Sequence, residues 1–279
     1  MMSAEDNILF DLSVIDQNRL QDVYGESAGN WGDLKIFQGN FINYGYWKDV
    51  PFVKGKITLR QRIQSSLNLY LHAAKYLNIS SPDHVLEIGC GRGVGACHLY
   101  DQYCPAKFVA IDITTAQISR ANRLKRLSSR TREGLSFENV SGEATSYPSN
   151  AFNKIYSIEA IQHIGDLERF ANEMRRMLQD DGRLVIAGYI PTGQASSKQL
   201  AKHLPLIHDS LENPMPIEDV RQIFLNVGFR QFDIHSIGEH VFQGYHYWAE
   251  QVSAENPFTY NYLYAFLRGY LDYYLLVTY

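Results

Sequence analysis

The sequence predicts an α/β fold, an open and mostly parallel sheet with helices on both faces, and three observations carry that prediction. The run Val85-Leu86-Glu87-Ile88 is a short apolar strand that enters a turn with glycine at alternate positions, Gly89, Gly91, Gly93 and Gly95, and then the apolar, helix-compatible stretch Ala96 to Tyr103. Lys107 to Ile111 is a second short apolar run and ends on an acid, Asp112, about twenty residues past the glycines. Beyond it, short apolar runs alternate with stretches of helical period, the pattern of repeated strand and helix units.

The elements follow in order. A weak amphipathic pattern, Leu12, Ile15, Leu20 and Val23, predicts a short helix over residues 11–25, and Gly25 to Gly32 reads as a loop. From Ile57 to Leu77 the apolar residues Leu59, Ile63, Leu67, Tyr70, Leu71, Ala74 and Leu77 recur at three and four, the stripe of an amphipathic helix whose other face, with Arg60 and Arg62, faces water. After Asp112, Thr114 and Gln117 have the form of a capping box and predict a helix to about Leu127. Its basic tail, Arg120 to Arg132, suits a helix C-terminus and a solvated face. Leu135 to Val140, Lys154 to Ile158 and Arg183 to Ile190 read as the third, fourth and fifth strands, with a helix from Leu167 to Leu178 capped by Asp166. A helix is expected within Lys198 to Leu211, and another opens at Pro216 and stops at Gly228. Phe229 to Ile237 reads as the sixth strand.

Composition bounds the function. With 279 residues, 45% hydrophobic and 20% charged, the chain can form one large domain with an added cap. A net charge of −4 offers no electrostatic footprint for nucleic acid or an anionic membrane surface. No apolar run approaches a membrane span and the N-terminus does not have the form of a signal peptide, so the expected address is cytoplasmic. Cys90, Cys97 and Cys104 contain no C-x-x-C pair, and free thiols are expected rather than a metal site. Tyrosine occurs 19 times and phenylalanine 14, and some tyrosines can line a pocket with an apolar body and a polar tip.

The glycine turn ahead of a helix suits a nucleotide-like ligand. Gly91 to Ala96 also satisfies G-x-G-x-x-G/A, which leaves NAD open on spacing alone. VLEIGCGRGVG (85–95), AIDIT around Asp112, SGEATSYP (141–148), FNKIYSIEAIQHIGD (152–166) and LQDDGRLVIAGYI (178–190) together resemble the class I S-adenosylmethionine-dependent methyltransferases. The likeness is to the small-molecule branch that includes macrolide and rebeccamycin sugar O-methyltransferases, tocopherol C-methyltransferases and phosphoethanolamine N-methyltransferases.

The resemblance implies a Rossmann-like sheet of seven strands with an antiparallel last strand near Asp272 to Tyr279. It implies an N-terminal cap over residues 1–56 and helical cap insertions around 191–215 and 241–268 of a methyltransferase domain spanning 57–279. It assigns Glu87, Gly89, Cys90, Gly91 and Gly93 to the cofactor loop, and Asp112, Ile113 and Gln117 to the adenosine. Gly142, Glu143 and Ala144 stand where the family holds adenine, with Glu143 one methylene longer than the usual Asp. Asn40 to Trp47 resembles the family's N-Y/H-G-Y-W signature, which brings Tyr44 and Tyr46 toward the methionine end of S-adenosylmethionine. Glu159 and His163 match E-x-x-x-H, and His163, past a strand end, is the candidate general base for a hydroxyl acceptor. Many relatives carry an acid after the fifth strand; here Tyr189 stands there and can face the substrate. His203 and His208 fall in the lid region and are candidate acceptor contacts. The implied function is methyl transfer to a small molecule, most simply at oxygen, with no metal. The alternatives are nitrogen or carbon transfer, a non-methylating cyclase-like or regulatory protein that keeps the cofactor site, and an NAD-dependent oxidoreductase. Oligomeric state is unspecified.

Overall fold

In the computed structural model, Tyr24, residues 31–204, Glu212, and residues 215–253 and 260–279 are described. Apart from Tyr24, which is helical, the expected helix over 11–25 lies outside the described residues, as do His208 and the side chain of His203. One sheet is formed by β1 (His84–Ile88), β2 (Lys107–Asp112), β3 (Leu135–Asn139), β4 (Phe152–Ile158), β5 (Leu178–Pro191), β6 (Phe232–Ser236) and β7 (Leu271–Thr278). Their order is β3-β2-β1-β4-β5-β7-β6. β1 pairs in parallel with β2 and β4, and β5 with β4, whereas β7 runs antiparallel to both β5 and β6. That single reversal separates the sheet from an all-parallel dinucleotide fold, as the last-strand expectation required.

The inner strands β1, β2, β4 and β5 are buried and apolar along most of their length because both faces are covered, whereas β3 and β6, at the sheet edges, are half polar. Alternate residues of β1 feed two different cores: Val85 faces one side, Leu86 and Ile88 the other. The first side is filled by α1 (Leu59–Leu77), α2 (Val94–Tyr103) and α3 (Thr115–Leu127), the second by α4 (Leu167–Met177) and α6 (Ile217–Asn226). Between them in sequence lies α5 (Gln194–His203), inside the range expected for the lid; α7 (Phe242–Val252) and α8 (Tyr260–Leu267) precede β7. Asp166 Oδ1 accepts the Arg169 N–H at 2.9 Å and starts α4 as expected.

Two helix expectations are corrected. The capping box belongs to α1: Thr58 Oγ1 accepts from Gln61 N and Gln61 returns to Thr58 N. Thr114 makes no side-chain cap, and Gln117 turns away from it. The buried face of α1 is also rotated from the apolar stripe. Leu59 is 46% exposed while Arg62, Ser65 and Ser66 are buried, because a polar strap from the N-terminal segment lies on them. The Arg62 guanidinium donates to the carbonyls of Ile36 (3.2 Å) and Asn43 (2.5 Å) and to Ser66 Oγ. Trp248 of α7 adds its indole N–H to the Ile36 carbonyl at 2.9 Å, so residues 36–47 are clamped between α1 and α7.

Candidate active site

The order of strands reverses between β1 and β4, and a cleft opens at the carboxyl ends of these strands, where a ligand of such a sheet belongs. Its volume is about 1000 Å³, counting the open mouth. The turn after β1 shapes the floor. Gly89 has φ +76, and a Cβ there would come within 2.5 Å of the Ala160 methyl. Gly89 N–H and Cys90 N–H both bond the Ile111 carbonyl, at 2.8 and 2.9 Å. Gly91 N–H donates to Asp112 Oδ2 at 2.9 Å and Thr114 N–H to Oδ1 at 2.8 Å. The acid at the end of β2 is thereby held against the glycine loop, and burial pushes its carboxyl up.

Along the adenosine side, Ile113, Gln117, Gly142 and Glu143 line the cleft. The Gln117 side chain is buried with neither amide atom hydrogen-bonded, so it is a polar group waiting on this wall for a partner. Glu143 Oε1 takes the Gly165 N–H at 2.9 Å. Cys90 also lines the cleft, its thiol pushed well up by burial. These groups fit an adenosine: an acid for ribose hydroxyls, an unsatisfied amide and a carboxylate for a base, and free approach over a glycine turn.

Five of the expected contacts, Tyr44 and four others, do not line the cleft. Glu87 is buried beneath the cleft among Tyr70, Tyr156 and Cys90, where burial raises its carboxyl to about 8 against the opposing pull of the two tyrosines. Gly93 caps α2, and its missing Cβ makes room for Phe137 and Ala121. Ala144 folds back to the Ser141 carbonyl at 3.2 Å. Tyr46 stacks on His72 with centroids 4.4 Å apart and is a packing residue. None of the four lines the cleft.

Tyr44 lines a second pocket of about 470 Å³ rather than the cofactor cleft. The two cavities share Tyr24, Ile42, Glu159 and His163, so these residues stand at the passage between them. Glu159, just past β4, has φ +51, a strained backbone for a side chain of this kind and a common mark of a functional position. Its Oε1 accepts Tyr44 N–H at 2.7 Å and Tyr273 O–H at 3.0 Å. Burial lifts its carboxyl to about 7, with those bonds and Arg62 opposing. His163, in the 3-10 turn Ile161–His163, places Nε2 3.4 Å from the Tyr24 hydroxyl.

Tyrosines wall the second pocket. Tyr44 stacks between Tyr245 (3.9 Å) and Tyr189 (5.3 Å), and Tyr262 meets it edge-on at 5.2 Å. The Tyr189 hydroxyl donates to Glu212 Oε1, and burial raises the Glu212 carboxyl to about 8. Sequence reasoning missed Glu212 and Tyr262, since the first lies in the region of faded resemblance and the second in an aromatic cluster with no spacing signal. Arg92, also missed, lines the cleft and ties it to the N-terminal segment through Asp33 and Asn40. Cys90, Cys97 and Cys104 are free, and among the described residues no helix is long and apolar enough to cross a membrane.

Comparison with known proteins agrees with this geometry. Residues 86–186 match the family described as a methyltransferase domain. The chain is 28% identical over 182 residues to "Methyltransferase GfsG" of Streptomyces halstedii, a match covering 62% of this chain and 61% of that protein. It is 25% identical over 229 residues to erythromycin 3''-O-methyltransferase of Saccharopolyspora erythraea, covering 78% of this chain and 72% of that one. The solved geranyl diphosphate C-methyltransferase of Streptomyces coelicolor, bound to S-adenosyl-L-homocysteine, superposes with TM-score 0.73 at 15% identity, over 85% of this chain and 86% of that one. A reversed seventh strand, an acid closing β2 and a glycine turn that meets it thus accompany a segment, residues 86–186, that matches a methyltransferase domain.

Proposed function

We propose that the protein transfers a methyl group from S-adenosylmethionine to an oxygen of a small molecule held in the tyrosine-walled pocket, with His163 as the general base. The observation that carries this is the position of His163 on both cavities. In this reading Asp112 holds the ribose hydroxyls, Gln117 and Glu143 meet the adenine edge, and the turn Gly89 to Gly91 lies under the amino-acid end. When bound, S-adenosylmethionine supplies a methyl group already activated on a sulfonium. The protein then has two tasks. It excludes water and aligns the acceptor with the methyl group, which supplies much of the rate in an in-line displacement. It also receives the acceptor's proton: His163 takes it from the hydroxyl as the oxygen–carbon bond forms and the carbon–sulfur bond breaks. Such a base contributes about 10²- to 10⁴-fold. The oxygen acceptor is supported by the similarity to the erythromycin enzyme, with which a natural-product acceptor is also consistent. Residues 31–56, clamped over α1, serve as the described part of the cap, with the segments around 191–215 and 241–268 completing it.

A second reading is favoured by one observation: Glu159 also lines both cavities, and its carboxyl sits at about 7, suited to proton transfer near neutral pH. His163→Ala and Glu159→Gln separate the two. Calorimetric titration with S-adenosylhomocysteine and NAD first establishes the cofactor, with a response to the former alone expected. Turnover is then followed as S-adenosylhomocysteine release over a panel of hydroxyl-bearing small molecules. His163→Ala should keep cofactor affinity and lose about 10²-fold or more in kcat. Unchanged turnover in His163→Ala with loss in Glu159→Gln would transfer the role to Glu159. Cofactor binding with no methyl transfer to any acceptor would favour a non-methylating relative.

A further inference from the structure

The second pocket has a one-sided chemistry. Its described wall includes the carboxyls of Glu159 and Glu212 and the phenols of Tyr24, Tyr44, Tyr189, Tyr245 and Tyr262, and no lysine or arginine. Glu212 is 3% exposed, and while Oε1 receives the Tyr189 hydroxyl, Oε2 is buried and accepts no hydrogen bond. The Tyr262 hydroxyl stands near enough to ease the burial of this carboxyl yet has no hydrogen-bond partner of its own. Gln162, on the same wall, spends its N–H on the Glu159 carbonyl and leaves Oε1 buried and unpartnered. A carboxyl oxygen and an amide oxygen left unsatisfied on two residues that line one cavity call for a donor that brings its own hydrogens. Aromatic faces and an acid favour that donor being a cation.

Resting on the methyl-transfer reading above, we infer that the acceptor carries an ammonium group, seated against Glu212 and Gln162 at the end of the pocket away from the cofactor, with its reacting hydroxyl at His163. Glu212 does not line the cofactor cleft, whereas His163 does, so the two groups mark opposite ends of the acceptor. Leu34, Ile36 and Phe37 supply apolar wall for a carbon skeleton between them. An acceptor held through a phosphate, diphosphate or carboxylate does not suit this wall, because no described lysine or arginine lines it. The buried cation that acts on Glu159, Arg62, already donates to Ile36, Asn43 and Ser66. The raised carboxyl of Glu212 adds a consequence. Seating a cation there ionises the acid, so binding near neutral pH releases a proton. The groups that face Glu212 and share in that titration are Glu159 and the phenols of Tyr24, Tyr44, Tyr189, Tyr245 and Tyr262.

The test uses three cyclic alcohols of one size on the full chain saturated with S-adenosylhomocysteine: trans-4-aminocyclohexanol, 4-methylcyclohexanol and 4-hydroxycyclohexanecarboxylate. Calorimetry should show the ammonium compound binding at least about tenfold tighter than the uncharged one, as a charge-assisted contact provides, and the carboxylate weakest. Glu212→Gln should erase the preference while S-adenosylhomocysteine affinity stays unchanged. The heat of ammonium binding should vary with buffer ionisation enthalpy in the parent protein, a readout that does not depend on any variant folding. Equal affinity for the charged and neutral compounds, binding by neither, or a preference that survives Glu212→Gln overturns the inference. Failure to bind S-adenosylhomocysteine would instead overturn the methyl-transfer reading beneath it.

Discussion

Replacing Arg62 by methionine tests whether the N-terminal strap is held to α1 by a buried cation. Arg62 is completely buried and has no carboxylate bonded to it; its donors go to two backbone carbonyls and a hydroxyl. Burial draws its pKa down to about 10, with Tyr245 and Glu159 opposing, so it remains charged at neutral pH. Methionine fills similar volume but strands the second acceptor site on Ile36, which keeps Trp248, and the whole Asn43 carbonyl. Each stranded acceptor costs about 1–3 kcal/mol, and relief of the desolvated charge returns part of that. The net expectation is a loss of about 2–4 kcal/mol, equivalent to a fall in Tm of roughly 3–7 °C for a chain of this size. Urea unfolding would measure the loss, and hydrogen exchange should rise in residues 36–47. Cofactor affinity should fall as well, since Asn40, Phe41 and Ile42 line the cleft. Arg62→Lys, which keeps the charge but not the fork, should lie between. A methionine variant within about 0.5 kcal/mol of the parent, with exchange unchanged, would refute the clamp.

Two further outcomes follow from buried polar groups. Gln117→Leu removes an amide with no partner in the protein, so stability should hold or rise by about 1 kcal/mol while affinity for S-adenosylhomocysteine falls; unchanged affinity would take Gln117 out of the cofactor site. Glu87 titrates at about 8 in the folded chain against the ordinary 4.5, so between those values the folded state keeps a proton that the unfolded chain has released. Stability is therefore fullest below the lower value and declines as pH rises toward the upper one, by about 2–5 kcal/mol from this group. Glu159 and Glu212 contribute with the same sign. Denaturant midpoints at pH 5 and pH 8 should differ less in Glu87→Gln than in the parent, and an equal difference would mean that Glu87 is already ionised in the fold.

The glycine-turn side of the cleft was readable in the chain because its contacts are local or lie at fixed spacing. A strand, a turn that needs positive φ at Gly89, and an acid closing the next strand are set by backbone geometry, and Gly91 N–H does meet Asp112. Short-range pattern also misled. Thr114 and Gln117 have the spacing of a capping box, yet the cleft draws the Gln117 side chain away and Asp112 occupies the Thr114 N–H; the true box, Thr58 with Gln61, went unnoticed. The apolar stripe of α1 suggested a solvated Arg62, but a helix can bury a polar face when another segment brings carbonyls to it.

The acceptor half was the least legible. Tyr44, Glu159, Tyr189, Glu212, Tyr245 and Tyr262 come from the N-terminal segment, three different elements and two loop positions, and only the tertiary fold brings them together. The sequence by itself determined the sheet, the glycine turn that meets Asp112 and the place of His163 past a strand end, because hydrophobic period and glycine geometry act over a few residues. The tertiary structure alone decided that Tyr46 packs on His72, that Tyr44 walls a second pocket, and that Glu212 sits there with an oxygen unsatisfied. Those outcomes depend on burial and on partners more than a hundred residues away for Glu159, and no local spacing encodes them.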